Sequence, residues 1–273
     1  MFQPHVPRGK TRRLFAMMGV IYHTIVHNLR GGHRNAVVGL LFAMAQGLTL
    51  VVVFYGMFML IGVRGSPVRG DFLLYIMSGV FLFMTHIAAV SAVQSGGNAT
   101  SSVMQHAPMN AIVGIISAAL ASLYQQFLTI VIVLAAYHII VTPITIDQPG
   151  GALIMFLMAW YSGCVVGLLF LALGPWLPNL TGVISQLYRR LNMIASGKMF
   201  LANSLPASMM PFFEWNPLFH TIDQGRGFIF LHYNPFQTSL MYPIYLSIVI
   251  MMIGLMAEFF TRKHVSASWS AGR

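Results

Sequence analysis

Three basic residues, Arg189, Arg190 and Lys198, stand inside an otherwise apolar segment of a chain that is apolar almost throughout. An ionisable side chain in a hydrocarbon layer is costly, and it faces a bundle interior or an aqueous path rather than lipid. The eight-residue step from Arg190 to Lys198 is roughly 12 Å along a helix, and about 80° around its axis. On one continuous helix the two cations share a face, forming a track for something negatively charged. Arg189 then points away, toward a neighbouring helix or the headgroups. The competing expectation is snorkelling: a segment that enters the membrane later leaves Arg189 and Arg190 at the interface.

Other chemistry-bearing residues narrow the function. Asp223 and Arg226, three apart in TIDQGRG, suit an i, i+3 ion pair on a helix. Such a pair either neutralises two charges beside lipid or latches the segment that holds it. His23 and His27 have the i, i+4 spacing of helical metal pairs. No carboxylate or third histidine stands near them, and catalytic zinc takes three protein ligands. They read as the polar face of a surface helix, and no metal site is expected. Gly9-Lys10-Thr11 resembles the end of a phosphate-binding loop, but Pro4 occupies the position of that loop's first glycine. The chain therefore has no nucleotide site of its own, and ATP falls to another subunit. Only five carboxylates exist, Asp71, Asp147, Glu214, Asp223 and Glu258. None pairs with another inside an apolar span, so neither a proton relay nor an acid–base dyad is expected. Cys164 is the single cysteine, which excludes an intrachain disulfide or a cysteine metal site.

The elements that must position these residues are membrane helices. The chain is 57% hydrophobic and 7% charged, against about 25% charged for soluble domains. Its net charge of +10 flanks apolar spans, as positive-inside topology requires, which argues against nucleic acid. We expect an all-α integral membrane protein in three parts. Residues 1–35 hold an amphipathic interfacial helix over 11–30, with apolar Leu14, Met18, Ile21, Ile25 and Leu29 on one face. Residues 36–260 form a domain of six transmembrane helices, at 36–62, 72–93, 111–141, 151–173, 179–200 and 236–260. Residues 261–273 form a basic tail. Between the fifth and sixth spans, residues 202–235 are too Pro-broken to cross and too apolar for an ordinary loop. They read as re-entrant half-helices, tolerated only where protein or water covers the backbone. Six spans put both termini on one side. Nine basic residues there against Arg64, Arg69 and Arg226 opposite make that side cytoplasmic. The first apolar stretch lacks the pattern of a cleaved signal.

The run WNPLFHTIDQGRGFIF, after SGKMFLANSLP and before a last span and a basic tail, resembles the permease subunits of type-2 ABC exporters. Among these it looks most like the capsular polysaccharide and O-antigen export permeases. The order of elements fits as well, over nearly the whole chain. The resemblance implies a homodimer working with two copies of an ATP-binding cassette ATPase, which hold ATP and Mg; this chain binds no cofactor. It also implies as cargo a lipid-linked or lipid-terminated polysaccharide, acidic if the cations of the fifth span serve it, crossing the bacterial inner membrane toward periplasmic and outer-membrane components. Trp215, Asn216, His220, Asp223 and Arg226 correspond to a periplasmic gate. Arg30 and the 94–110 loop, through Val103, Met104, His106 and Pro108, correspond to the ATPase docking surface. That loop has no Lys or Arg, so docking there rests on shape and apolar contact. An ABC permease for a drug or lipid is the near alternative. An integral membrane acyltransferase is a more distant one, lacking converging His and carboxylate groups.

Overall fold

The structure is a computed structural model that describes residues 18–26, 36–60, 62, 68–103 and 111–271. Residues 18–26 form a helix, α1. After it come α2 (Ala36–Leu60), α3 (Phe72–Val103), α4 (Ala111–Ile140), α5 (Pro149–Leu173), α6 (Pro178–Ala195), α7 (Pro217–Ile229) and α8 (Met241–Ala271), with no strand among the described residues. Of the expected apolar face of α1, Ile21 and Ile25 are half-buried and Met18 is exposed; His23 on the other side is exposed, and His27 lies outside the described residues.

Five helices, α2, α3, α4, α5 and α8, are long and apolar enough to cross a membrane. The expected fifth span forms α6, which differs from the others. At 18 residues it is about 27 Å long, and it does not run on to Phe200. Ser196 caps it, and Gly197 follows with φ +68°. That left-handed conformation is open to glycine and ends a helix. Between Phe200 and α8 the expected half-helices reduce to one α-helix, α7, preceded by two short 3-10 turns. At 13 residues α7 is about 20 Å long, too short to cross a layer about 30 Å thick. α3 continues past the expected end of its span at Val93 to Val103, and α8 continues past Phe260 to Ala271.

α3 is the centre of the bundle. It packs against α2, α4, α5 and α7, and most of its span is buried, whereas α2 and α8 show most of their surface to the outside. Its closest neighbour is α5. A Cβ on Gly163 would lie 2.4 Å from the His86 carbonyl oxygen, and one on Gly167 would lie 2.7 Å from that of Val90. Two glycines four apart thus bring the backbones of α5 and α3 into contact, as small residues do between membrane helices. The α2–α3 turn, the α4–α5 turn and the end of α7 meet at one end of the bundle, lining a common cavity. We call this the turn end, and the opposite one the terminal end.

Candidate functional site

α7 begins where Asn216 caps its first turn: the side-chain oxygen accepts the Leu218 amide at 3.0 Å, the usual work of an N-cap. Pro217 at the first helical position lacks the amide that would otherwise be an orphan there. The other end of the Asn216 amide donates to Asn192 Oδ1 and to the Ala195 carbonyl, both at 2.9 Å. One residue therefore starts α7 and ties it to the last turn of α6. Residues 217–226 are all buried.

Within that buried stretch, the expected ion pair does not form. Arg226 is fully buried, and its guanidinium donates to backbone carbonyls: Nη1 to Gly197 (3.0 Å) and Phe200 (2.7 Å), Nη2 to Lys198 (2.5 Å). Its face lies 4.3 Å over the Tyr75 ring of α3. Asp223 turns to other partners. It accepts from the Tyr233 hydroxyl (2.5 Å), the Thr238 hydroxyl (2.9 Å) and the Ala202 amide (3.2 Å). The physical reason is that residues 197–201 follow helix α6 without forming a helix, which leaves both their carbonyls and the first amide of the next 3-10 turn without helical partners inside the protein. Such groups must be satisfied. The cation takes the carbonyls, the anion takes an amide, and together they clamp the segment. Gly79 of α3 makes room, since a Cβ there would sit 2.7 Å from both Arg226 Nη2 and the Lys198 oxygen.

His220 is also buried. Its Nδ1 accepts the Ser239 amide at 3.0 Å, so the proton is on Nε2, which donates to the Glu214 carbonyl at 2.7 Å. Trp215 is half exposed, and its carbonyl accepts from the Tyr242 hydroxyl at 2.8 Å. Of the five residues expected at a gate, Asn216, His220, Asp223 and Arg226 form one interior network around α7. Trp215 stands at its rim.

The three basic residues of the expected track are not brought together. Lys198 lies beyond the end of α6 and is 2% exposed; its Nζ sits 3.5 Å from the Phe83 ring centroid and 5.0 Å from that of Phe54. Among the described residues its Nζ has no hydrogen-bond partner. Arg190 is exposed on α6. The shared face fails because Gly197 ends the helix between the two residues. Arg189 Nη2 donates to Gln94 Oε1 at 2.9 Å. Gln94 is two residues from the end of the apolar part of α3, at Gly96. Arg189 thus reaches toward the terminal-end edge of the apolar part of α3, while Lys198 lies in the interior.

Sequence reasoning missed a second polar seam. His86, fully buried in α3, bonds Tyr188 of α6 through Nε2 at 2.8 Å, and Ser162 and the Ala159 carbonyl of α5 through Nδ1 at 3.0 and 3.3 Å. A carbonyl only accepts, so Nδ1 carries the proton and the tyrosine hydroxyl donates. α6 is accordingly inverted: Thr181, Ser185 and Asn192 are buried, while Leu180, Val183, Leu187, Leu191 and Ile194 face outward. A lone histidine in the middle of an apolar span was the available signal. Of the expected docking residues, Arg30, Met104, His106 and Pro108 lie outside the described residues, and Val103 is described only as the last residue of α3.

Fold and site together define a multi-pass helical membrane protein with a short enclosed helix clamped at its turn end. No family model matches the chain. Over 92 residues it is 33% and 32% identical to two proteins of Escherichia coli, each named polysialic acid transport protein KpsM. The match takes in 34% of this chain, and the chain spans about a third (35%) of the length of each of these relatives. At the level of class, the five long apolar helices fit a multi-pass membrane protein, and the 92-residue likeness is to proteins named for transport.

Proposed function

We propose that this chain is the transmembrane subunit of an ABC exporter that carries an acidic, lipid-linked polysaccharide across the bacterial inner membrane. The observation that carries the proposal is the 92-residue likeness to proteins named for transport of polysialic acid, an acidic polymer. The architecture is compatible with it. α6 would act as a sixth, channel-side span whose outward apolar face meets a second copy of the chain. The α7 network would gate the outer side of the path, with the termini in the cytoplasm. Two ATPase subunits would bind ATP and Mg and drive transport from the cytoplasmic face. Arg189 and Arg190, on α6, would meet the anionic polymer; Lys198, buried behind Phe83, would not.

The test is export. In a strain lacking the chain, restoring it together with its ATPase should restore an acidic polysaccharide at the cell surface. The purified chain alone should hydrolyse no ATP. Surface polysaccharide unchanged in the deletion strain, with loss of a drug or lipid efflux instead, would overturn the cargo assignment. Met104→Asp should weaken co-purification of the ATPase, because it puts an unpaired charge into a contact proposed to be apolar. Undiminished co-purification would remove the 94–110 segment as the docking surface.

A further inference from the structure

At the turn end, three segments line an open cavity of about 510 Å3: residues 69–74, 143–147 and 229–232. This is the size range of small-molecule sites, about 300–1,000 Å3. Its walls are fixed by bonds of their own. The amides of Asp147 and Gln148 donate to the carbonyls of Ile229 (3.3 Å) and Phe228 (2.9 Å), pinning the α4–α5 turn to the end of α7. Asp71 accepts from the Leu73 amide (2.8 Å), the Thr142 hydroxyl (2.7 Å) and the Tyr137 hydroxyl, pinning the start of α3 to the end of α4. Phe230, buried, backs Gly70. The hollow therefore exists without a ligand to shape it.

Its polar lining divides into spent and unspent groups. Asp71 is spent on the bonds above. Asp147 has only a long contact from the Gln148 side chain, at 3.4 Å. Arg69, Thr145 and His232 line the cavity, and none makes a hydrogen bond to a described residue. Arg69 and Asp147 face one cavity, yet they form no ion pair; among the described residues the ion pair that forms is Arg262–Glu258. A planar guanidinium with its donors free is suited to a carboxylate held by two parallel bonds. A carboxylate on the wall of the same cavity is suited to hydroxyls, and apolar side chains such as Leu74 and Ile144 offer a floor for the flat, apolar side of a ring.

We propose that this cavity binds an acidic sugar unit, with Arg69 taking the sugar carboxylate and Asp147 its hydroxyls. The choice of a sugar rests on the proposed function and adds to it a site for the chain at the outer end. A basic peptide segment of a partner would use Asp147 but would be repelled by Arg69, so the two substitutions distinguish the occupants.

The full-length protein in detergent or nanodiscs is titrated with a sialic acid disaccharide and with a neutral disaccharide of equal size, followed by ligand-observed NMR and calorimetry. The acidic disaccharide should bind the wild-type protein. Arg69→Gln should weaken it tenfold or more and Asp147→Asn severalfold, with both variants melting as the wild type does. Arg69 and Asp147 are exposed, so neither change threatens folding. Absence of binding, equal binding of the neutral sugar, or binding indifferent to Arg69→Gln would overturn the proposal. Tighter binding of a basic peptide to Arg69→Gln would assign the cavity to a protein partner instead. Failure of the chain to support any polysaccharide export, with acidic-sugar binding intact, would sink the transport reading and leave the site standing.

Discussion

Replacing Arg226 by Met keeps the volume of the side chain and removes its donors. Three carbonyls lose a bond. That of Gly197 keeps the Phe200 amide at 3.3 Å, whereas those of Lys198 and Phe200 accept from nothing else among the described residues. Each orphaned buried acceptor costs about 1–3 kcal/mol, which gives about 2–6 kcal/mol for the pair. A polar group in a membrane protein finds other partners when the fold opens, which trims the figure toward about 2–4 kcal/mol. At about 2–4 °C per kcal/mol for a chain approaching this size, the melting temperature in detergent should fall by about 4–16 °C. Arg226→Lys keeps a charge and three donors but not the planar fork that reaches three carbonyls, so it should fall in between. Asp223→Asn releases the same segment from its amide side, so its cost and that of Arg226→Met should sum to more than the double variant loses. Limited proteolysis reads the same event locally, as faster cleavage within 196–216. If Arg226→Met melts within a degree or two of the wild type, the guanidinium is not what holds the segment, and the clamp is wrong.

Gly163→Leu should separate α5 from α3, because even a Cβ there comes within 2.4 Å of a backbone oxygen; a loss of about 3 kcal/mol or more in unfolding, beyond ordinary overpacking, is expected. Tyr188→Phe removes the hydroxyl donated to His86 and should cost about 0.5–2 kcal/mol by denaturant titration. Burial pushes the Asp71 carboxyl up, but its hydrogen bonds from Tyr137, Thr142 and the amides of Leu73 and Leu74 outweigh this and hold it below the usual carboxylate range. Its contribution to stability is therefore complete above about pH 4, the unfolded value, and is lost as pH falls through the lowered folded value. Melting curves below pH 4 should show a steeper decline for the wild type than for Asp71→Asn.

The long apolar helices were legible because their only requirement is length and apolarity. The chain breaks were legible too, through Pro and Gly. The partners of buried charges were not. Spacing of three suggested that Asp223 and Arg226 meet, but Arg226 takes backbone carbonyls of residues 197–200 and Asp223 takes the Ala202 amide with two distant hydroxyls; backbone groups leave no mark in the residue types. The end of α6 could have been read from Ser196-Gly197, a helix-stop signal standing before Lys198. Ignoring it carried the helix through to Phe200 and put Lys198 on a face it does not share with Arg190. Gly163 and Gly167 were likewise a readable sign of close helix contact. The inversion of α6 was harder to foresee, because a helix whose polar side faces inward looks the same in sequence as one whose polar side faces water.

The clamp also constrains how the protein is made. A helix carrying Asp223 and Arg226, whose hydrogen-bond partners all lie outside it, is a poor candidate to enter the bilayer by its own partitioning. The groups that satisfy Arg226 belong to residues 197–200, which leave the ribosome earlier; those that satisfy Asp223 include Tyr233 and Thr238, which leave later. Docking of α7 is thus completed only after the chain has emerged past Thr238, with α3 and the end of α6 already standing as its socket. A truncation before Tyr233 should leave an insertion intermediate in which Asp223 lacks both of its hydroxyl partners.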